Sequence, residues 1–227
     1  MTNGQLVTAG FHPAAMGTRD RRARDKAARR EAILKAAKEI FAEKGLLAST
    51  IDDVARRAEV AKGTIYLHFK AKEAMFTALM DEGLALVGKR FTEAVDLSLR
   101  ADENLRRLCD AYCRLYREEP QYFKLLFFCS HSDVRAKTCA NPSECPGLPP
   151  LATLIQKGID EGTFAPTVDA TKAAAIAWAS SNGIILMYEE HPHHTTSFDL
   201  PFEELLRTNI ELLIHGLKQG LQSKRQG

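Results

Sequence analysis

No stretch of the 227-residue chain approaches the roughly 18 consecutive apolar residues of a membrane-spanning helix. The first residues also lack the apolar core of a secretory signal. Both absences make a cytoplasmic protein without a membrane partner the expectation. None of the five cysteines forms a Cys-x2-Cys pair, so the common zinc-site spacing is missing. In the cytoplasm the cysteines read as thiols rather than as a disulfide framework. There is no Gly-rich phosphate loop, no zinc-hydrolase motif and no nucleophile–base–acid pattern. The chain is therefore not expected to be an enzyme or to carry a cofactor. Strand-period alternation and internal repeats are absent too, which points to an all-α fold.

What is present is enough apolar material for a sizeable core, at 45% of residues, in one or two domains. Charge is balanced overall, at +2, but not along the chain. Residues 1–30 hold seven Arg and Lys against two Asp, a net of +5, which leaves −3 for the rest. A basic end on a near-neutral body fits a phosphate-backbone partner. Residues 1–18 are rich in Gly, Ala, Pro and Thr and read as disordered. Met1 and Met16 are both candidate first residues.

About nine helices are expected. Ile33, Ala36, Ala37, Ile40 and Phe41 recur at helical spacing, continuing a helical Arg19–Arg30 segment, and Gly45 stops that helix. Thr50 and Asp53 can form a capping box for a second helix, Glu59-Val60-Ala61 a turn, and Lys62 to Leu67 a short third helix. The fourth is expected from Lys72 to about Leu99, the fifth over 103–117, and the sixth from Pro120 through Phe128. Residues 131–150 read as a loop. The remaining helices are expected over 151–161, from a cap at Asp169 to about Glu190, and from Pro201 onward, with a His-rich loop at 191–200.

The stretch Thr50–Lys72, TIDDVARRAEVAKGTIYLHFKAK, carries the most specific signal. Its third helix opens with small, basic and hydroxylic residues, as a helix does when its N-terminal side chains reach base edges in the major groove. Gly63 costs about 1 kcal/mol against Ala in a helix interior, which makes sense if something approaches the backbone there. From about Ala27 to about Val87 the chain resembles the DNA-binding domain of the TetR family of transcriptional regulators (TetR/AcrR type). The matching residues are Ile33, Ala36, Ala37, Phe41, Gly45, Thr50, Val54, Ala55, Val60, Lys62-Gly63-Thr64-Ile65-Tyr66, His68-Phe69, Lys72-Glu73 and Phe76. Ala61 and Ala71 stand where that family usually has a helix-capping Ser, Asn or Asp.

The resemblance implies an N-terminal three-helix helix-turn-helix DNA-binding domain and a C-terminal helical domain for effector binding and dimerisation. The expected divisions are a basic arm over 1–26, the DNA-binding domain over 27–87 and the effector domain over 88–227. Thr50, Tyr66, His68 and Lys72 would contact phosphates of double-stranded operator DNA, and Lys62, Gly63 and Thr64 would approach bases. Independently of the resemblance, the basic run Arg19–Arg30 reads either as a solvated tail or as an arm that tracks phosphates or the adjacent minor groove, as basic arms do elsewhere. A homodimer would pair helices 8 and 9, with Ala173, Ala174, Ala177 and Gly183 permitting close approach. The function implied is a repressor released from its operator by a small hydrophobic effector.

Cys109 and Cys113 lie four apart on a helix face that also carries Leu105, Tyr112 and Tyr116. Together with Phe91, Phe123, Phe127 and Trp178 they are candidates to line an effector pocket. The same residues read otherwise as an ordinary aromatic core. An alternative is a Cys-based redox or metal sensor drawing on Cys109, Cys113, Cys129, His131, Cys139 and Cys145, with a second cluster at His191, His193 and His194. The spacing matches no known metal motif, so no metal site is expected.

Overall fold

The computed structural model describes residues 18–128, 147–190 and 200–220. Among these residues all regular structure is helical, in nine helices: α1 (Thr18–Ala48), α2 (Ile51–Arg57), α3 (Lys62–Tyr66), α4 (Lys72–Ala94), α5 (Ala101–Glu118), α6 (Pro120–Phe128), α7 (Leu148–Asp160), α8 (Ala170–Glu190) and α9 (Phe202–Gln219). No helix among them is long and apolar enough to cross a membrane. The expected clusters at Cys129, His131, Cys139, Cys145, His191, His193 and His194 lie outside the described residues.

The side chains form two hydrophobic clusters. The first joins α1, α2, α3 and the start of α4 around Ile33, Phe41, Val54, Ile65 and Phe76. The second joins the rest of α4 to α5, α7, α8 and α9 around Phe91, Leu105, Tyr112, Ile155, Ile185 and Leu206. Helix α6 serves both. Its Leu125 is buried in the first cluster and its Phe123 in the second.

Local chemistry explains the boundaries. α1 breaks its helical course at Gly45, whose φ of 77° is a left-handed conformation open to glycine. The carbonyls beyond it would be orphaned. Lys72 collects them, its Nζ donating to the carbonyls of Leu46 (2.7 Å), Leu47 (3.1 Å) and Ser49 (2.9 Å). Thr50 and Asp53 form the expected capping box, while Ala61 and Ala71 cap α3 and α4 with no side-chain bond.

Helix α4 stops at Ala94, five residues short of the expected Leu99. The cause is Asn104, fully buried on the next helix. Its Oδ1 accepts from the Asp96 N–H and its Nδ2 donates to the Asp96 carbonyl, both at 2.8 Å. Asp96 itself accepts from the Ser98 N–H and hydroxyl. Side chains thus offer this backbone a better alternative than another helical turn. α5 and α7 begin earlier than expected, at Ala101 and Leu148. Pro149 and Pro150 sit in the first turn of α7, where a missing N–H costs nothing. Glu161, just past α7, accepts the Ala101 N–H at 2.7 Å and so caps α5 from a distance.

Candidate nucleic-acid interface and effector cavity

Helix α3 has five residues and one deep anchor, Ile65, which is fully buried. Too short to persist alone, it is held by that anchor and by the turn from α2, where Glu59 takes a φ of 53°. α2 is in turn tied to α1, because Arg57 pairs with Glu39 (2.8 Å) and Glu43 (2.9 Å). This fixed seat leaves Lys62, Gly63 and Tyr66 exposed together, with Thr64 half-buried beside them. A Cβ built on Gly63 would have no neighbour within 4 Å. Neither φ nor packing inside the chain calls for glycine there.

Lys62 pairs with Asp52 at 2.9 Å. The hydrogen bond it donates to Asp52, more than the charge of that carboxylate, pushes the Lys62 ammonium up. The pair is exposed on both sides and holds Lys62 weakly, so the ammonium is free to exchange one anion for another. Thr50 is exposed, but its hydroxyl donates to Asp53 Oδ2 and accepts the Asp53 N–H. Asp53 is brought down to about 2, first by the Lys44 hydrogen bond and then by Thr50. His68 is half-buried. Lys72 differs from the expectation of a phosphate contact. Its three N–H bonds go to the three carbonyls at the end of α1, and a phosphate would have to displace them.

Beneath the second cluster lies an apolar cavity of about 40 Å³, room for roughly three water molecules. Phe91, Cys109, Tyr112 and Trp178 line it as expected. Leu105, Leu108, Leu151, Ala177, Ser181, Leu206 and Ile210 complete the wall. The α5 members continue the face already legible at Leu105; those of α7, α8 and α9 carry no sequence signal of their own. Cys113, Tyr116 and Phe123 are not on this wall. They pack behind it, Phe123 edge-on to both Tyr112 and Tyr116 at 5.4 Å and Tyr116 against Phe202 at 4.3 Å. The side chain of Phe127 lies outside the described residues.

Polar atoms at the cavity are few and partnered. The Tyr112 hydroxyl donates to Asn182 Oδ1 at 2.8 Å, and Asn182 Nδ2 donates to the Trp178 carbonyl at 2.7 Å. Cys109 and Cys113 are buried free thiols. The hydrogen bond to Cys113, and burial after it, hold the Cys109 thiol well above its ordinary value, while the same hydrogen bond makes Cys113 the easier of the two to ionise. Among the described residues no group of three or more His, Cys, Asp or Glu is placed to hold a metal.

The outer face of α8 departs from the expected stripe. Ala173, Ala174 and Ala177 are buried within the chain. Ile176, Ala179 and Gly183 are turned outward, and Leu212 and Gly216 of α9 are exposed as well. Both faces of α8 are built of small residues, and the face with Ala173, Ala174 and Ala177 is the one that joins the second cluster.

Residues 33–79 match the family model described as bacterial regulatory proteins, tetR family. The chain is 29% identical over 160 residues to the transcriptional repressor KstR2 of Mycobacterium tuberculosis, a match spanning 66% of this chain and 76% of that one. Among solved structures, the fatty acid degradation regulator FadR from Bacillus halodurans superposes with a TM-score of 0.69 at 19% identity, over 83% of this chain and 96% of that one. FadR from Bacillus subtilis in complex with stearoyl-CoA superposes with a TM-score of 0.67 at 22% identity, over 85% and 99%. The matching helix-turn-helix residues, the shared helical fold and the related repressor agree: residues 33–79 match the TetR family's DNA-binding segment, and the chain as a whole is similar to transcriptional regulators of that family.

Proposed function

We propose that the protein is a dimeric, sequence-specific repressor that leaves its operator when a mostly hydrophobic small molecule binds. Gly63 carries the DNA half of this reading. A glycine that destabilises its helix, with open space where a side chain would be, is best explained by a close approach from outside the chain. In this reading Lys62, Gly63 and Thr64 approach bases, while Tyr66, Thr50 and His68 face phosphates; phosphate contacts position the protein and base contacts specify the site. The DNA-binding portion spans about 27–87 and the effector and dimer portion 88–227. Two copies joined through the outer faces of α8 and α9 would place the two α3 helices on half-sites about one helical turn, ~10 base pairs, apart.

The effector half rests on the apolar cavity. Pockets for small ligands usually enclose roughly 300–1,000 Å³, so the cavity must open around Tyr112 and Trp178 to take one. A ligand preferring the opened packing shifts the population away from the DNA-binding spacing of the two α3 helices. The wall is apolar, with Tyr112 and Asn182 as its polar string, and this suits an amphiphile with a long hydrocarbon part. The fold's likeness to a regulator holding stearoyl-CoA makes a long-chain acyl thioester the first compound to try. Cys109, on the cavity wall and held protonated there, fits an apolar wall better than a redox or metal sensor, because the thiolate is the reactive form.

Mobility shifts on genomic fragments test the DNA half: equal binding by wild type and Lys62→Ala/Tyr66→Ala sinks it. For the effector half, the sole tryptophan, Trp178, is a built-in reporter. Stearoyl-CoA should change its fluorescence and release DNA, and coenzyme A alone should do neither. Operator release by peroxide or metal in wild type, lost in Cys109→Ser/Cys113→Ser, would return the function to a thiol sensor.

A further inference from the structure

Helix α1 is 31 residues long, but only its second half belongs to the first cluster. Every residue from Asp20 to Ala32 is exposed. This segment is about 20 Å of helix with no buried face. On a helical projection Arg22, Lys26, Arg29 and Arg30 fall within about 100° of arc, and both Asp20 and Asp25 fall outside it. The same arc, followed down α1, becomes Ile33, Ala37 and Ile40, which are buried. The basic stripe therefore continues the face that α1 turns toward α2 and α4. Arg30 marks the junction, its guanidinium lying 5.1 Å from the centre of the Phe69 ring, three residues after Tyr66. Arg21 and Arg24 lie off this stripe, but the stripe itself carries no acidic residue and runs onto the face shared with the recognition unit.

We propose that this rigid basic helix is a second DNA-contacting element, gripping phosphates of the duplex that flanks the site read by α3. The proposal rests on the DNA-binding reading given above. The helical form narrows the mode of contact. A helix with side chains is about 10–12 Å across and the minor groove about 6 Å wide, so the arm does not thread that groove as an extended arm would. It runs along the backbone instead, and about 20 Å lies beside only a few phosphates of one strand. The operator footprint is then longer than the two α3 helices require, and its outer parts are insensitive to sequence.

The test uses the full chain, wild type and Arg22→Ala/Lys26→Ala/Arg29→Ala, with duplexes selected from a random pool by the wild type. Alanine keeps the helix and removes only charge. Each selected site is made with minimal flanks and with flanks of about 12 base pairs, and affinity is followed against salt. On the long duplex the variant should lose about 2–3 from the slope of log affinity against log salt, at ~0.9 per phosphate contact. On the short duplex the two proteins should have the same slope, and the selected sequence should be the same for both. Equal slopes on the long duplex overturn the arm and leave the α3 reading standing. If the full chain selects no sequence at all, both readings fall.

Discussion

The two hydrophobic clusters are held by different means. The DNA-side cluster is framed by polar contacts that fix geometry: the Thr50–Asp53 box, the Arg57 fork on Glu39 and Glu43, and Lys72 on three carbonyls. The other cluster has polar ties at its edge, Asn104 on Asp96 and Arg106 on Glu211, but its interior around the cavity is a set of rings, with Phe91, Trp178 and Phe123 all about 5–6 Å from Tyr112. Directional bonds have one good arrangement, whereas edge-on ring contacts have several of similar energy. In the function proposed above, the rigid part would read DNA and the repackable part would sense.

The largest effects should come from α6, where the two clusters meet. Leu125→Ala and Phe123→Ala each empty a site 1% exposed and should each lower stability by about 2–5 kcal/mol. Hydrogen exchange separates them: Leu125→Ala should loosen amides in α2 and α3, and Phe123→Ala those in α5. If both loosen the same helices, the two-cluster description fails.

Lys72→Met comes next. Removing the ammonium takes a donor from the Leu47 and Ser49 carbonyls, while that of Leu46 keeps the Ser49 hydroxyl, and should lower the melting free energy by about 1–3 kcal/mol. The salt dependence of DNA binding should stay as it was, and a flattened dependence would restore Lys72 as a phosphate contact. Gly63→Ala has a smaller effect of opposite sign. The chain should become about 1 kcal/mol more stable to urea, while operator affinity falls. A variant both more stable and equally tight would remove the main support for DNA approaching Gly63.

The smallest expected effect concerns acid. Each cluster has one carboxylate held at about 2: Asp53, chiefly by Lys44, and Glu161, first by Thr163 and then by the Ala101 N–H. Their ordinary values are 3.8 and 4.5. Because both are depressed in the folded chain, their stabilisation is complete above those values and is lost as pH falls toward 2. Glu161→Gln should flatten the acid limb of thermal stability between pH 4.5 and 2, and Asp53→Asn the narrower span below 3.8. Unchanged limbs would mean that these caps hold nothing.

How far the sequence revealed this depended on the distance between partners. The Thr50–Asp53 box, the Gly45 stop and the α3 motif are legible because each signal and its cause lie within a few residues. The end of α4 was not, since Asn104 acts from the following helix. The outward face of α8 was not, since alanine, serine and glycine occupy its whole circumference and spacing alone cannot say which side α7 covers. Lys72 matched a family pattern, but its carbonyl partners stand 23 to 26 residues earlier. Of the candidate pocket residues with described side chains, Phe91, Cys109, Tyr112 and Trp178 lie on the cavity wall and Cys113, Tyr116 and Phe123 do not. On α5 the apolar face is broader than the cavity, so Cys113 and Tyr116 share the face without reaching the opening.

The placement of Leu125 also bears on how such chains can be recombined. A nine-residue helix is a stiff rod about 13 Å long, and this one has Phe123 in one core and Leu125 in the other. Lys38 of α1 clasps it from outside, pairing with Glu119 at 3.0 Å and covering the Tyr122 ring at 4.3 Å. A cut after residue 87 would therefore not release a finished module. It would leave a leucine-sized vacancy among Ile33, Phe41 and Phe76 and an ammonium stripped of its ring. Exchange of reading heads between relatives should succeed only when the graft brings its own version of Leu125 and Tyr122, so that the unit of inheritance is discontinuous in the chain although continuous in space.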